Sequence, residues 1–163
     1  MLLYVIRHGI AIDREDPDCP PEAQRYLTAD GVTKTRDAAR GLSKIATKPD
    51  VLLTSPFVRA LQTAEIVAAA FRIPKTSIRK TKALEPSANP RAIFQEIAKL
   101  RGKDVACFGH APHLDEIIAA AIGAKTPTEL KKAGAACLEM TSLAPPRGMI
   151  AWLLTAKMLR KLG

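Results

Sequence analysis

The chain has 163 residues, 47% of them hydrophobic, and a net charge of +9 from 25 basic and 16 acidic residues. That length suits one domain, residues 1–163, with a substantial core, and the composition excludes a disordered chain. No apolar run approaches the roughly 20 residues that span a bilayer, and scattered basic residues with 4% aromatics argue against nucleic acid.

The N-terminus enters the first strand, Leu2–Ile6, without a charged and apolar leader segment. Arg7-His8-Gly9 follows at that strand's carboxyl end. Val32, Ala38, Ala39, Leu42 and Ile45 then form one apolar helical face. A second strand, Val51–Thr54, leads through Ser55-Pro56 into a helix with Val58, Leu61, Ala64, Val67, Ala68 and Phe71 on one side. Asn89-Pro90 opens a shorter helix carrying Ile93, Phe94, Ile97 and Leu100.

A third strand, Val105–Phe108, runs into Gly109-His110 and a helix carrying Leu114, Ile117, Ile118, Ala121 and Ile122. Thr126-Pro127 with Glu129 reads as a capping box, with Gly134 as the stop of that helix. Ala136–Met140 and Met149–Leu153 read as an antiparallel hairpin turning at Pro145-Pro146-Arg147-Gly148. The basic tail, Lys157 to Leu162, reads as a solvated terminal turn rather than a docking helix. Cys19, Cys107 and Cys137 are too scattered for a disulfide framework and fit a reducing, cytoplasmic setting. Alternating strands and helices predict an α/β three-layer sandwich: a mainly parallel central sheet, an antiparallel edge, and helices on both faces.

In such a fold the parallel strands share one carboxyl edge, where open sheets place their ligands. That edge receives Arg7-His8-Gly9, Ser55-Pro56-Phe57-Val58-Arg59 and Gly109-His110. Singly, His8 reads equally well as a hydrogen-bonded strand end, Arg59 as a surface helix residue, and His110 as a helix cap. Together, two arginines and two histidines above helix N-termini describe an anion site. His113 reads as structural or as part of the rim. His8, His110 and His113 offer metal-type spacing in part, but no carboxylate completes a ligand set, so neither metal nor cofactor is expected.

The three motifs, together with Leu27-Thr28-x-x-Gly31 and Ala60-x-Gln62-Thr63, resemble the histidine phosphatase (phosphoglycerate mutase-like) superfamily. The short chain, Ser55-Pro56-Phe57-x-Arg59-Ala60 and Lys132-x-Gly134-Ala135 are similar to its SixA-type phosphohistidine phosphatases. The resemblance implies that His8 is a nucleophile forming a phosphohistidine, with Arg7, Arg59 and His110 holding the phosphoryl oxygens. Gly9, Ser55, Ala111 and Glu85 would border the substrate.

Many members carry a carboxylic acid two residues after a leucine, where it protonates an alcohol leaving group. Here that stretch is Leu84-Glu85-Pro86, with the carboxylate one residue early and proline in its place. Asp13, Glu15 and Asp16 are other candidate acids, although they read as a solvated loop. A missing acid favours a phosphoramidate, such as phosphohistidine on a protein, over an ordinary ester. The alternatives are a small-molecule phosphomonoesterase and a non-catalytic phosphoprotein-binding module. The default oligomeric state is a monomer.

Overall fold

Residues 1–163 are described by a computed structural model. One six-stranded sheet runs through the molecule in the order β3-β2-β4-β1-β5-β6. Its strands are β1 (Leu2–Arg7), β2 (Val51–Thr54), β3 (Ile78–Lys80), β4 (Val105–Gly109), β5 (Ala135–Leu143) and β6 (Pro146–Leu154). The first four are mutually parallel, while β5 runs antiparallel to β1 and β6 antiparallel to β5.

The pleat divides each central strand between two cores. Leu3, Val5, Leu53, Val105 and Cys107 pack on one face, against Ile93, Phe94 and Ile97 of α3 (Ala92–Ala98) and Leu114, Ile117 and Ile118 of α4 (His113–Ile122). Tyr4, Ile6, Leu52, Ala106 and Phe108 pack on the other, against α1 (Ala29–Ile45), α2 (Val58–Ala70) and Leu159 of α5 (Ala156–Leu162). The three-layer α/β architecture anticipated from the sequence is therefore present. The central strands read as unbroken apolar runs because both of their faces are buried. No helix is long and apolar enough to cross a membrane.

Several local expectations are overturned. Residues 126–134 form no helix. Their backbone groups are taken by neighbours: Leu130 N–H donates to Asp115 Oδ1 (2.6 Å) and Ala133 N–H to the His8 carbonyl (3.1 Å). Gly134 O accepts from Arg7 N–H (3.1 Å). Tertiary partners outcompete a capping box that would have started a helix of barely two turns. Ala133 holds a left-handed conformation (φ 54°) in this loop, a strain of about 1 kcal/mol or more, while its N–H bonds the His8 carbonyl.

The hairpin turns at Ala144-Pro145, so Pro146, Arg147 and Gly148 belong to β6. Ser55 and Asn89 do not cap at a proline-first helix. The helices begin at Val58 and Ala92, and the two side chains accept from Phe57 N–H (3.3 Å) and Arg91 N–H (2.9 Å) in the preceding turns. The tail is a docked helix, not a solvated turn. Leu159 is buried, and a Cβ at Gly41 would lie 1.8 Å from the Leu159 carbonyl, so α1 and α5 meet backbone to backbone. The short edge strand β3 has one half-buried residue, Ile78, and no apolar run to announce it.

Candidate active site

Arg7 pairs with Gly109 in the parallel register of β1 and β4, so His8 and His110 leave adjacent strands side by side. Their ring centroids are 5.2 Å apart. β2 ends one strand further out, where Ser55 N–H bonds the Phe108 carbonyl (2.9 Å) and the chain turns into α2, which carries Arg59. Sheet topology and the turn from β2 into α2 thus bring Arg7, His8, Arg59 and His110 to one hollow of about 620 Å³.

His8 is 8% exposed, and its Nδ1 lies 2.7 Å from the Gly9 carbonyl. A carbonyl only accepts, so Nδ1 carries the hydrogen and Nε2 keeps its lone pair. Arg59 Nε–H donates to that lone pair at 3.3 Å. Burial, followed by the neighbouring Arg59 and Arg7 charges, lowers the His8 pKa to about 4, despite the opposing Gly9 bond. His8 is therefore a neutral imidazole near pH 7, fixed in one tautomer. Gly9 is held in turn: its N–H donates to Thr63 Oγ1 (3.1 Å), whose own hydroxyl donates to the Arg59 carbonyl (2.8 Å).

His110 is 2% exposed and its Nε2 lies 2.9 Å from Ser55 Oγ. Since Ser55 Oγ already accepts from Phe57 N–H, its hydroxyl hydrogen is free to point at His110 Nε2. That arrangement leaves the hydrogen of His110 on Nδ1, a buried atom with no protein partner. Burial and the Arg59 charge hold its pKa at about 2, so His110 is neutral and accepts the Ser55 hydroxyl hydrogen at Nε2.

Three arginines converge on Glu22, in a short 3₁₀ turn (Glu22–Gln24) on the loop after β1. Arg14 binds it through two bonds of 2.9 Å, Arg25 through two of 3.2 Å, and Arg59 through NH2 at 2.9 Å and, from NH1, to its carbonyl at 2.8 Å. The Arg14 hydrogen bonds lead in bringing the carboxyl pKa down to about 2, with the charges of Arg59 and Arg25 adding to the effect. Glu22 is the single carboxylate lining the hollow, against Arg7, Arg14, Arg25, Arg59 and Lys132. Phe57 lies under the Arg59 guanidinium, 5.3 Å from its carbon.

Glu22, Arg14 and Arg25 were not singled out in the sequence. They lie on an irregular loop in which no spacing marks one charge above Asp13, Glu15 or Asp16. Ala111 lines the hollow, Ser55 borders it through His110, and Glu85 is not among the lining residues; Pro86 and Ser87 are. His113 is 1% exposed, with both ring nitrogens unpaired by protein. No group of three His, Cys, Asp or Glu side chains is arranged to hold a metal ion.

The neighbouring motif residues act as struts. Gln62 Oε1 accepts from Leu27 N–H (2.7 Å) and so ties the Glu22 loop to α2. Thr28 caps α1 by accepting from Gly31 N–H (3.0 Å), and a Cβ at Gly31 would lie 2.0 Å from the Ile10 carbonyl. Arg7 NH1 donates to the Leu130 carbonyl (2.8 Å), whose loop is anchored by the buried Asp115. Asp115→Ala is expected to leave Leu130 N–H unpaired, costing about 1–3 kcal/mol in urea unfolding. Looser support of Arg7 should then raise KM more than it lowers kcat.

The sequence model of the histidine phosphatase superfamily (branch 1) matches residues 3–85, just over half of the chain. The chain belongs to the histidine phosphatase superfamily. An uncharacterized protein from Picosynechococcus sp. is 36% identical over 139 residues, 82% of each chain. Among solved structures, the protein histidine phosphatase SixA complexed with tungstate superposes with a TM-score of 0.85 at 24% identity, covering 98% of this chain and 99% of that one. A SixA protein from Agrobacterium tumefaciens, described as a phosphohistidine phosphatase on a provisional basis, gives 0.78 at 22%, covering 94% and 97%. At these identities the likeness shows the fold, which is that of SixA. Histidine phosphatase membership supports phosphatase activity.

Glu22→Ala is expected to release Arg59 and lower kcat/KM about ten- to a hundredfold, since small misplacements of a positioning group carry large rate costs. Glu22→Gln keeps an oxygen for Arg59 and should retain most activity. Steady-state kinetics of the two variants separates positioning from proton donation, because a proton donor would be lost in both alike.

Proposed function

We propose that this chain is a single-domain phosphohistidine phosphatase acting on a phosphorylated protein, with His8 as nucleophile. Arg7, Arg59 and His110 bind the phosphoryl oxygens, while Gly9, Ser55 and Ala111 shape the pocket. The observation that carries the choice of substrate is the state of Glu22. The hollow's one carboxylate is held near pKa 2 by three arginines and has no proton to give near neutral pH. An alkoxide leaving group needs such a proton. The imidazole of phosphohistidine does not, because a ring protonated at its other nitrogen departs neutral.

The steps then balance without a general acid. His8 Nε2 attacks phosphorus, its N–P bond forms, and the substrate's N–P bond breaks with release of imidazole. Arg7 and Arg59 stabilise the charge on the equatorial oxygens. The phosphorylated His8 ring keeps its Nδ1 hydrogen on the Gly9 carbonyl, and so is itself a protonated phosphoimidazole. Water attacks phosphorus, the bond to Nε2 breaks, and His8 returns to its neutral tautomer as phosphate departs with the water oxygen.

The experiment compares phosphate release from a phosphohistidine protein and from an alkyl phosphate at equal enzyme. Loss of phosphohistidine at least a hundredfold faster supports this reading. Comparable ester turnover would overturn it in favour of a small-molecule phosphatase.

A further inference from the structure

A second hollow, of about 720 Å³, lies beside the first, walled by the start of α1, residues 129–133 and the start of α5. Arg7 and Lys132 line both hollows and form their common wall. The second also holds Lys34, Lys131, Lys157 and Arg160, against one carboxylate, Glu129. Glu129 is bound by Lys131, and Lys34 is paired with Asp30. Arg7, Lys132, Lys157 and Arg160 form no ion pair with any carboxylate. Two lining residues also carry buried polar atoms without a protein partner, Arg7 Nε and Thr35 Oγ1.

Four unpaired cations around one concavity repel each other and raise the local positive potential. Phosphoryl transfer does not use three of them. Lys132, Lys157 and Arg160 therefore have charge to offer to something attached to the phosphohistidine. On a helical carrier, carboxylates one or two turns from the phosphohistidine lie about 6–10 Å from it along the axis. Lys157 is exposed, as access by another protein requires.

We propose that this second basic hollow docks acidic side chains flanking the phosphohistidine on the protein substrate. The proposal rests on the phosphohistidine-protein reading above. It assigns Lys157 and Arg160 to recognition of the carrier and none of the chemistry.

The test uses the whole chain, its K157E/R160E double variant and the milder K157Q/R160Q. Each is given an acidic protein phosphorylated on histidine with phosphoramidate, and phosphoramidate itself as the small substrate. Charge reversal is expected to raise KM for the protein about tenfold or more at low salt, with kcat held and the salt dependence flattened. Neutralisation should give a smaller rise in the same direction, and turnover of phosphoramidate should not change in either variant. An unchanged KM for the protein overturns the proposal, as does an equal loss on both substrates, which would make the hollow part of phosphate binding. If the unaltered chain cleaves phosphoramidate but not the phosphoprotein, the substrate reading itself fails, and the docking proposal falls with it.

Discussion

His8→Ala should abolish turnover, with kcat/KM falling by about 10⁴-fold or more while phosphate still binds. The magnitude follows from the single route that the pocket geometry offers. Nε2 of His8 is an imidazole lone pair beside Arg59, and the ring's tautomer is set by the Gly9 carbonyl. Stopped assays with a phosphohistidine protein measure the loss, and binding of inorganic phosphate by calorimetry shows that the hollow persists. The pH dependence has a definite sign. Attack requires neutral His8, whose pKa is lowered to about 4, so the limb that His8 contributes to kcat/KM should fall only as pH drops towards 4. An ordinary imidazole would place that limb near 6.5. Folding follows the same linkage: between pH 6.5 and about 4 the unfolded chain binds the proton that folded His8 refuses, so stability falls with pH across that window.

Arg59→Ala should cost nearly as much, about 10³- to 10⁵-fold in kcat/KM, the range seen when an arginine that stabilises a transferring phosphoryl group is lost. One guanidinium does three jobs here. Its Nε caps the His8 lone pair, its NH1 and NH2 hold Glu22, and its face rests on Phe57. Arg59→Lys retains the charge but cannot make this planar fork, and should recover only a small part of the activity. A lysine variant close to the unaltered chain would mean that charge alone is needed. Phosphate affinity should weaken along with the rate, since in the proposed mechanism Arg59 binds the ground-state oxyanion as well.

The convergence of Arg7, His8, Arg59 and His110 was legible because Arg7, His8 and His110 sit at strand ends and Arg59 opens the helix that β2 feeds. Buried parallel strands read as apolar runs, and glycines mark where Arg7-His8 and His110 leave them. The cation cluster around Glu22 was not legible. It depends on an irregular loop folding back over α2, which Gln62 achieves by catching Leu27 N–H. The segment 126–134 misled for a related reason. Its local signals favour a helix, while Asp115 and β1 supply better partners for its backbone. Asp115 itself lies within an apolar helical face, and nothing in its spacing shows that it anchors the loop carrying Lys132. The tail was misread because Gly41, which lets α5 touch α1, looks like any helix-interior glycine.

The most direct measurement is rapid alkaline quenching of the chain during turnover of a ³²P-labelled phosphohistidine protein, followed by mapping of the label. Covalent catalysis should place the phosphate on Nε2 of His8, appearing before free phosphate and absent from His8→Ala. Release of phosphate with no labelled His8 at any quench time would mean that water attacks the substrate directly, contradicting a nucleophilic His8.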